Sequence, residues 1–377
     1  MQTLSHKVEH LYVHVPFCAE KCQYCAFYSK PDSLQKMNAY VDAVLLEFHR
    51  ATETYELAPK TIFFGGGTPS LLPVDSMRRI LEAVGGRGSR RAVREFTIEC
   101  NPATVTTEKA RLYREFGVNR ISLGVQSFDD AMLKSLGRIH TGQQVTKAYD
   151  ILRAAGFDNI NLDFIFGLPG QTLEHWQNTL RQAIALQPEH LSTYCLILEE
   201  DTPFWSLARQ GRIKTNEDLE LAIYESTIDT LEAAGYRQYE ISNFAKPGRV
   251  CTHNIAYWEG KDYLGLGPSA CSTIGNRRWQ NISDADRYVE SLVGRAVPAR
   301  RPLLDTEEIL TPELRLSERI AFGMRMNDGV PLELVRGRWD KEIAELLQTG
   351  LAKQSDGHLR PTRRGILFAD EVAAEFV

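Results

Sequence analysis

Strand-like and helix-like segments alternate along the first half of this 377-residue chain. Short runs rich in β-branched and aromatic residues, which are typical of buried strands, are separated by longer segments with apolar residues at helical spacing. The predicted strands are residues 10–15, 61–64, 95–99, 120–125, 159–166 and 190–198. The predicted helices are residues 37–52, 74–84, 107–116, 131–136 with 143–155, and 172–186. Because strands joined through helices run in one direction, this alternation predicts an α/β fold with a parallel sheet.

Polar and glycine-rich segments follow the predicted strands. The segments after the first four strands are a cysteine loop, Gly65-Gly66-Gly67-Thr68-Pro69, Glu99-Cys100-Asn101-Pro102 and Gln126-Ser127, and the fifth strand carries Asp163 before Gly167-Leu168-Pro169-Gly170. Functional groups of barrel-like α/β folds collect on the loops that follow the carboxyl ends of the strands. The sequence therefore predicts that these groups meet at one end of the sheet.

Cys18, Cys22 and Cys25 lie within eight residues, and the other four of the seven cysteines are scattered singly. Three local thiolates would ligate three irons of a cuboidal iron–sulfur cluster and leave one iron open. The same spacing places the thiols on one face of a helix, where they could be small buried apolar groups. A zinc site that recruits His14 is a further alternative. Zinc-binding cysteine pairs usually come twice and no second pair follows, so the spacing favours the cluster and leaves both alternatives open.

The bulk composition restricts the class of protein. A net charge of −5 argues against a broad nucleic-acid interface, so we expect no nucleic-acid partner. No apolar run approaches the roughly 18 residues of a membrane helix, and the first residues carry no apolar signal segment. An odd number of cysteines without a secretory signal indicates a reducing compartment. We therefore expect a cytoplasmic protein.

The alternation stops near residue 199, which predicts further units. We predict a core domain at residues 1–235, a connecting segment at 236–300 and a small, mainly helical C-terminal domain at 301–377. The last unit ends in a predicted hairpin at residues 350–360 and is winged-helix-like. Winged helices often bind DNA, but no basic recognition face is evident, so a structural lid is the favoured interpretation.

The spacing C-x3-C-x2-C, with Tyr24 directly before Cys25, resembles the signature of the radical S-adenosylmethionine (SAM) superfamily, and the glycine run at residues 65–69 is similar to its glycine motif. This resemblance implies a partial (β/α)6 TIM-like barrel with a smaller, mainly helical C-terminal domain. It implies a 4Fe–4S cluster on Cys18, Cys22 and Cys25, with exchangeable SAM chelating the fourth iron. It also implies an electron donor, because one electron from the cluster cleaves the sulfonium to a 5′-deoxyadenosyl radical.

Nearly the whole chain resembles the anaerobic coproporphyrinogen III oxidase-like family. The positions that match the family's SAM-binding residues are Tyr12, Tyr24, Gly66, Gly67, Thr68, Glu99, Gln126, Arg138 and Asp163. Their chemistry is suitable, since carboxylates accept hydrogen bonds from ribose hydroxyls and arginine pairs with a carboxylate. Taken singly, Glu99 or Asp163 fits a buried structural polar group equally well.

Two departures separate the chain from the oxidases themselves. The oxidases carry C-x3-C-x2-C-x-C, whereas Ala26-Phe27 follows Cys25 here, and they have a long N-terminal extension, whereas seventeen residues precede Cys18 here. Both departures are similar to the heme chaperone branch of the family, which also carries the motif HNxxYW, present at residues 253–258.

The branch implies that His253 contacts heme, that heme passes to acceptor hemoproteins including respiratory ones, and that membrane contact occurs through such partners. It also implies a homodimer. Histidine is a common axial ligand of heme iron. Without the resemblance, His253 and Asn254 would cap a turn before an aromatic core patch. Cys251 is a less favoured iron ligand. The rival functions are oxidative decarboxylation of coproporphyrinogen III and a zinc-stapled binding module.

Overall fold

The strands and helices of this protein are given by a computed structural model, which describes residues 6–85, 93–293 and 304–377. The strands are β1 (Lys7–Val15), β2 (Glu56–Gly66), β3 (Glu95–Cys100), β4 (Arg120–Gln126), β5 (Ile160–Phe166), β6 (His190–Cys195), β7 (Arg237–Glu240), β8 (Asn243–Ala245), β9 (Leu264–Leu266), β10 (Cys271–Ile274), β11 (Arg277–Asn281), β12 (Leu304–Ile309), β13 (Val330–Pro331), β14 (Ala352–Ser355) and β15 (His358–Pro361). The helices are α1 (Leu34–Thr54), α2 (Val74–Gly85), α3 (Thr107–Glu115), α4 (Asp130–Ser135), α5 (Gly142–Ala154), α6 (Leu173–Ala185), α7 (Pro203–Arg209), α8 (Glu217–Ala233), α9 (Thr252–Trp258), α10 (Ala285–Val293), α11 (Pro312–Gly323), α12 (Leu332–Val335), α13 (Asp340–Gln348), α14 (Arg363–Leu367) and α15 (Ala369–Ala374).

Strands β1 to β6 are neighbours in chain order in a nine-stranded sheet whose full order is β7-β8-β6-β5-β4-β3-β2-β1-β9. All five neighbouring pairs from β1 to β6 are parallel. The predicted α/β fold, a partial barrel of six β-α units, is confirmed. Strand β2 begins five residues before the predicted start, because residues 56 and 57 pair with the start of β1 beyond a register shift at Val8/His10.

Side chains of the six parallel strands alternate between an apolar outer face and a polar inner face. In β1, Leu11, Val13 and Val15 belong to the main hydrophobic core, which packs against the helices. The residues that alternate with them, His10, Tyr12 and His14, point to the other side of the sheet. The inner face also carries the buried polar side chains Thr61, Glu95, Arg120, Asn161 and His190. We call the space enclosed by this inner face the lumen. Each buried polar group in the lumen needs a hydrogen-bond partner, and these partners shape the site described below.

Helix α9 fills the lumen at the amino-terminal end of the strands. The carboxylate of Glu95, the first residue of β3, accepts hydrogen bonds from the backbone amides of Thr252 (2.7 Å) and His253 (3.0 Å). The first amides of a helix have no intrahelical partner, so this carboxylate caps α9 and neutralises part of its positive end. The helix is thereby held under the barrel, opposite the cysteine loop.

The segment predicted as a connection, residues 236–300, adds strands to both edges of the main sheet. Strand β8 is antiparallel to β6 and to β7, whereas β9 is parallel to β1. Strands of three or four residues are too short to show a periodic pattern, which explains why the sequence does not reveal them. The domain bounds given above stay predictions.

The C-terminal module has its own small apolar core and a three-stranded sheet in the order β13-β15-β14. The predicted hairpin is present: Asp356 (φ 51°) and Gly357 (φ 74°) form the two-residue turn between β14 and β15. The module contacts the main sheet where the Asn327 side-chain amide donates to the Gln238 carbonyl (2.7 Å). Within the three described ranges, no helix is both long and apolar enough to cross a membrane.

Candidate cofactor site

A cavity of about 490 Å³ opens at the carboxyl end of the parallel strands. The predicted residues that line it are Cys18, Cys22, Tyr24, Cys25, Gly66, Gly67, Thr68, Glu99, Gln126, Arg138 and Asp163. The predicted meeting of these groups at one end of the sheet is therefore confirmed, whereas their individual roles stay predictions. Tyr12 and His253 do not line the cavity.

The cysteine loop is fixed to its surroundings by backbone hydrogen bonds. The amide of Cys18 donates to the Lys30 carbonyl (3.2 Å), and the amide of Gln23 donates to the Leu136 carbonyl (3.0 Å). The three thiols are free and half-buried, in a loop rather than a helix. The alternative that they are apolar groups on a helix face is therefore wrong. A fixed loop that presents three thiols to one cavity fits the ligand set of a cluster with one open iron.

Hydrogen-bond donors surround the thiols. An Arg138 guanidinium nitrogen, Nη1, lies 3.7 Å from Cys22 Sγ, and Cys18 Sγ lies 3.4 Å from Thr68 Oγ1. A nearby cation favours the thiolate, which is the form that binds metal. His14 is not available to complete a zinc site, since its two ring nitrogens contact the Tyr12 hydroxyl (3.1 Å) and the Tyr28 carbonyl (3.0 Å).

The glycine turn after β2 packs directly on the cysteine loop. Gly66 has φ +104°, and a Cβ there would lie 2.5 Å from the His14 ring. A Cβ on Gly67 would lie 2.7 Å from the Phe17 carbonyl oxygen and 2.8 Å from that of Val15. Only glycine permits the backbone of the turn to come this close to the backbone of residues 15–17. At this distance the Gly67 amide donates a hydrogen bond to the Val15 carbonyl (2.8 Å). The turn and the cysteine loop therefore form one continuous wall.

Two half-buried carboxylates, Glu99 and Asp163, lie in the floor of the cavity. Asp163 accepts hydrogen bonds from Ser122 Oγ (2.8 Å) and from Asn161 Nδ2 (2.8 Å). Burial, together with the neighbouring Asp163, raises the pKa of Glu99 to about 8. Burial also raises the pKa of Asp163. Such a pair favours a ligand that brings positive charge and hydroxyl groups into the floor.

Gln126 and Arg138 line the cavity beside the carboxyl end of β4. Gln126 has φ +65°, a conformation that a non-glycine residue adopts at a cost, and it follows a register shift between Gly124 and Gln126. The Arg138 guanidinium donates to the Gly124 carbonyl (2.8 Å). A Cβ on Gly124 would lie 3.1 Å from Gln126 Nε2 and 3.3 Å from Arg138 Nη2. The strained end of β4 thus holds both side chains close together.

Tyr12 and His253 lie below the cavity, in the lumen. The Tyr12 ring stacks on Phe63 at 6.3 Å between centroids, and Phe63 stacks on His253 at 5.2 Å. His253 is only 1% exposed, and burial lowers its pKa to about 3. Its ring nitrogens contact Thr61 Oγ1 (2.7 Å) and the Tyr257 hydroxyl (2.9 Å). The heme contact implied for His253 stays a prediction, and the described conformation offers neither ring nitrogen to iron.

Several residues that line the cavity are not indicated by the sequence. They include Ser122, Ile139, Tyr194, Ile197 and Glu199. Ser122 and Tyr194 lie on inward-facing positions of β4 and β6, so the period of two along a strand could have indicated them. Ile139 lies in the loop after α4, and Ile197 lies in the loop after β6. Loop residues follow no periodic pattern that could have indicated them.

The titration of Glu99 predicts a pH-dependent difference in stability between wild type and Glu99→Gln. A folded-state pKa of about 8, raised from 4.5 by burial and then by Asp163, contributes stability that is lost as pH rises from 4.5 to 8. We therefore compare the free energies of unfolding of the two cofactor-free proteins at each pH. The value for Glu99→Gln minus the value for wild type should increase, on the order of 2 kcal/mol, between about pH 5 and pH 8.5. Urea unfolding measures this. The exposed Glu174→Gln is the control, and a pH-independent difference for Glu99→Gln would contradict the expectation.

Comparison with known proteins identifies the family. Residues 12–183 match the radical SAM superfamily, and residues 310–368 match the HemN C-terminal domain. The heme chaperone HemW of Bacillus subtilis is 34% identical, over 97% of this chain and 98% of the relative. The heme chaperone HemW of Escherichia coli is 42% identical, over 97% of both chains. The solved structure of the radical SAM enzyme coproporphyrinogen III oxidase (HemN) from Escherichia coli has a TM-score of 0.81 at 25% identity and covers 98% of this chain and 90% of its own. The chain belongs to the HemW family of the radical SAM superfamily.

Proposed function

We propose that this protein is a heme chaperone that holds a 4Fe–4S cluster and SAM in the cavity at the carboxyl end of the barrel and passes heme to acceptor hemoproteins. The observation that carries the proposal is the composition of one cavity: three free thiols, a glycine wall and two half-buried carboxylates converge there. The HemW relatives, which match nearly the whole chain, supply the link to heme. The acceptor, the electron donor and a homodimer stay predictions from the resemblance, and a cytoplasmic location stays a prediction from the composition.

The residues of the cavity fit both cofactors. Cys18, Cys22 and Cys25 would ligate three irons of the cluster, and the methionyl amine and carboxylate of SAM would take the fourth position. The Arg138 guanidinium would pair with the methionyl carboxylate, while Glu99 would accept hydrogen bonds from ribose hydroxyls. When bound, the cluster supplies the single electron that cleaves the sulfonium.

Charge balance supports a role for the two half-buried carboxylates. Glu99 and Asp163 are both costly to ionise in this floor, and Asp163 is held in place by Ser122 and Asn161. The sulfonium of SAM would supply positive charge to the cavity, and so binding would stabilise the ionised carboxylates. Arg138 lies beside the Cys22 thiol and would offset the negative charge of a thiolate-bound cluster.

The mouth of the cavity has the character of a porphyrin-binding surface. Phe27 and Ile197 are each 67% exposed, and Ile139 and Tyr194 are each 40% exposed. All four line the same cavity. Single exposed apolar side chains are ordinary, but several around one opening mark a binding surface for an apolar ligand. We propose that heme lies flat against this mouth, with Phe27 at the position where the oxidases carry a further cysteine.

A heme titration tests this surface. The double variant Phe27→Ser with Ile197→Ser removes two exposed apolar side chains and should weaken heme binding about tenfold or more, since burying one such side chain contributes about 1.5–3 kcal/mol. The control is Ile309→Ser, an isoleucine with 63% exposure on β12. Binding is followed by Soret absorbance of the full chain. An unchanged heme affinity in the double variant would show that heme does not bind at the mouth of the cavity.

The rival function is oxidative decarboxylation of coproporphyrinogen III, which is favoured by the structural similarity to HemN. We expect no such activity, because Ala26-Phe27 stands where the oxidases have their fourth cysteine. The reconstituted protein is incubated anaerobically with reductant, SAM and coproporphyrinogen III, and the porphyrin products are separated by chromatography. Unchanged substrate is the expected result, whereas accumulation of protoporphyrinogen IX would establish the oxidase instead.

A further inference from the structure

Helix α9, which carries the HNxxYW motif, is buried on the side of the barrel opposite the cavity mouth. Both His253 and Cys251 at its start are at most 1% exposed. Two continuous sets of contacts nevertheless connect this helix to the walls of the cavity. One is a stack of aromatic rings, and the other is a chain of hydrogen bonds.

The ring stack leads from His253 to the cysteine loop. His253 lies on Phe63 with an interplanar angle of 23°, and Phe63 lies on Tyr12 with an angle of 27°. The Tyr12 hydroxyl contacts His14 Nδ1 (3.1 Å), and His14 Nε2 contacts the Tyr28 carbonyl in the cysteine loop (3.0 Å). The His253 ring is therefore connected, through two stacked rings and His14, to the backbone of the cysteine loop.

The hydrogen-bond chain leads from Cys251 to Asp163. The Cys251 amide donates to the Tyr239 hydroxyl (3.3 Å), which contacts His190 Nε2 (2.8 Å). His190 Nδ1 contacts Asn161 Oδ1 (2.6 Å), and Asn161 Nδ2 donates to the Asp163 carboxylate (2.8 Å).

The donors in this chain follow one direction. The Asn161 oxygen can only accept, so His190 carries its proton on Nδ1, and its Nε2 accepts the Tyr239 proton. This requires a neutral His190, and burial lowers the pKa of His190 well below its usual value. In each of these four hydrogen bonds the donor is the group nearer to Cys251 and the acceptor is the group nearer to Asp163. The chain thus orients the Asp163 carboxylate in the cavity floor from the residue that precedes α9.

A buried cation supports the same connection. The Arg120 guanidinium, 2% exposed, interacts electrostatically with Glu95, which caps α9, and with Asp163, which lines the cavity. Arg120 therefore connects the carboxylate that caps α9 with the carboxylate that lines the cavity. The contacts of α9 therefore converge on cavity residues rather than on the solvent.

From these contacts we propose that α9 is a positioning element of the SAM site, in which His253 supports the cysteine loop through Phe63 and Tyr12, and Tyr239 and His190 orient Asp163. In this role His253 acts through its ring faces and does not ligate heme iron. The inference rests on the proposed function only in taking the cavity as the SAM site. It assigns the HNxxYW motif to the interior of the barrel.

The experiment uses the full chain with its cluster reconstituted anaerobically and measures SAM affinity by equilibrium dialysis. His253→Ala removes the supporting ring, and Tyr239→Phe removes the hydroxyl that links Cys251 to His190. Each should weaken SAM binding about tenfold, the equivalent of 1.4 kcal/mol, with iron content retained. His253→Phe keeps a flat ring on Phe63, cannot ligate iron, and should stay within about threefold of wild type. The exposed His175→Ala and the half-buried Tyr55→Phe are matched controls.

Two further readouts separate positioning from other roles. The reduced-cluster electron paramagnetic resonance (EPR) spectrum should change less on SAM addition in His253→Ala than in His253→Phe, which a general loss of stability would not produce. Heme affinity and the Soret band of His253→Phe should equal those of wild type. Wild-type SAM affinity in both His253→Ala and Tyr239→Phe would overturn the inference, and so would loss of heme binding in His253→Phe. If the wild type itself binds no SAM, the proposed cavity function fails instead, and if it binds no heme, the SAM comparison still decides the role of α9.

Discussion

Replacing any one of Cys18, Cys22 or Cys25 with serine should abolish the iron–sulfur cluster. Each iron of a cuboidal cluster takes one ligand from outside the cluster, and this site already has one fewer thiolate than irons. A second open iron would leave the cluster held by two thiolates in a cavity open to solvent. Wild type reconstituted anaerobically should hold about four irons and four sulfides per chain, and each variant close to none. Iron and sulfide assays with the absorbance spectrum measure this.

The matched control for these variants is Cys271→Ser. Cys271 is a free, exposed cysteine on β10, and it does not line the cavity. This variant should keep the wild-type iron content. One zinc and no sulfide in the wild type would contradict the cluster, and full iron content in any of the three loop variants would remove that cysteine from the ligand set.

Gly67→Ala should destabilise the protein and remove SAM binding together. The added Cβ would lie within 2.9 Å of three backbone atoms, the Val15 and Phe17 carbonyl oxygens and the Phe17 nitrogen. Backbone cannot rotate away as a side chain can, so the turn must separate from the cysteine loop and lose the bond from the Gly67 amide to Val15. We expect a loss of about 3 kcal/mol in the free energy of unfolding. Urea unfolding and SAM dialysis measure the two effects.

Gly156→Ala is the control for an alanine replacement that meets no neighbour. Gly156 has φ +87°, and no atom of the described residues lies within 4 Å of its added Cβ. The cost there should be about 1 kcal/mol, from backbone strain alone, without any effect on SAM affinity. If Gly67→Ala behaved like Gly156→Ala in both measurements, the close approach of the glycine turn to the cysteine loop would be wrong.

The parts of the fold that the sequence predicts are those with a repeated local pattern. The six parallel strands were recognisable because β-branched runs alternate with helical spacing, and the convergence of the cavity residues follows from parallel strands sharing one carboxyl end. Strands β7 to β9 were not recognisable, because three or four residues carry no period. Their pairing with β6 and β1 depends on contacts between segments far apart in sequence.

The same limit applies inside the site. Glu99, Arg138 and Asp163 were predicted from their positions in a known motif and line the cavity. The motif placed His253 among binding residues too, yet its surroundings depend on Thr61 and Phe63, which lie almost two hundred residues earlier in the chain. A linear motif identifies such a residue without showing which side of the barrel it occupies. Tertiary packing decides whether it faces a ligand or the lumen.

The most direct test of the account is the EPR spectrum of the reduced, reconstituted protein with and without SAM. In the proposed site one iron has no cysteine ligand, so SAM should coordinate that iron and change the g-values and line shape of the cluster signal. The change should follow a saturable binding curve. A cluster signal that stays identical at saturating SAM would contradict the central claim that this cavity is a SAM site.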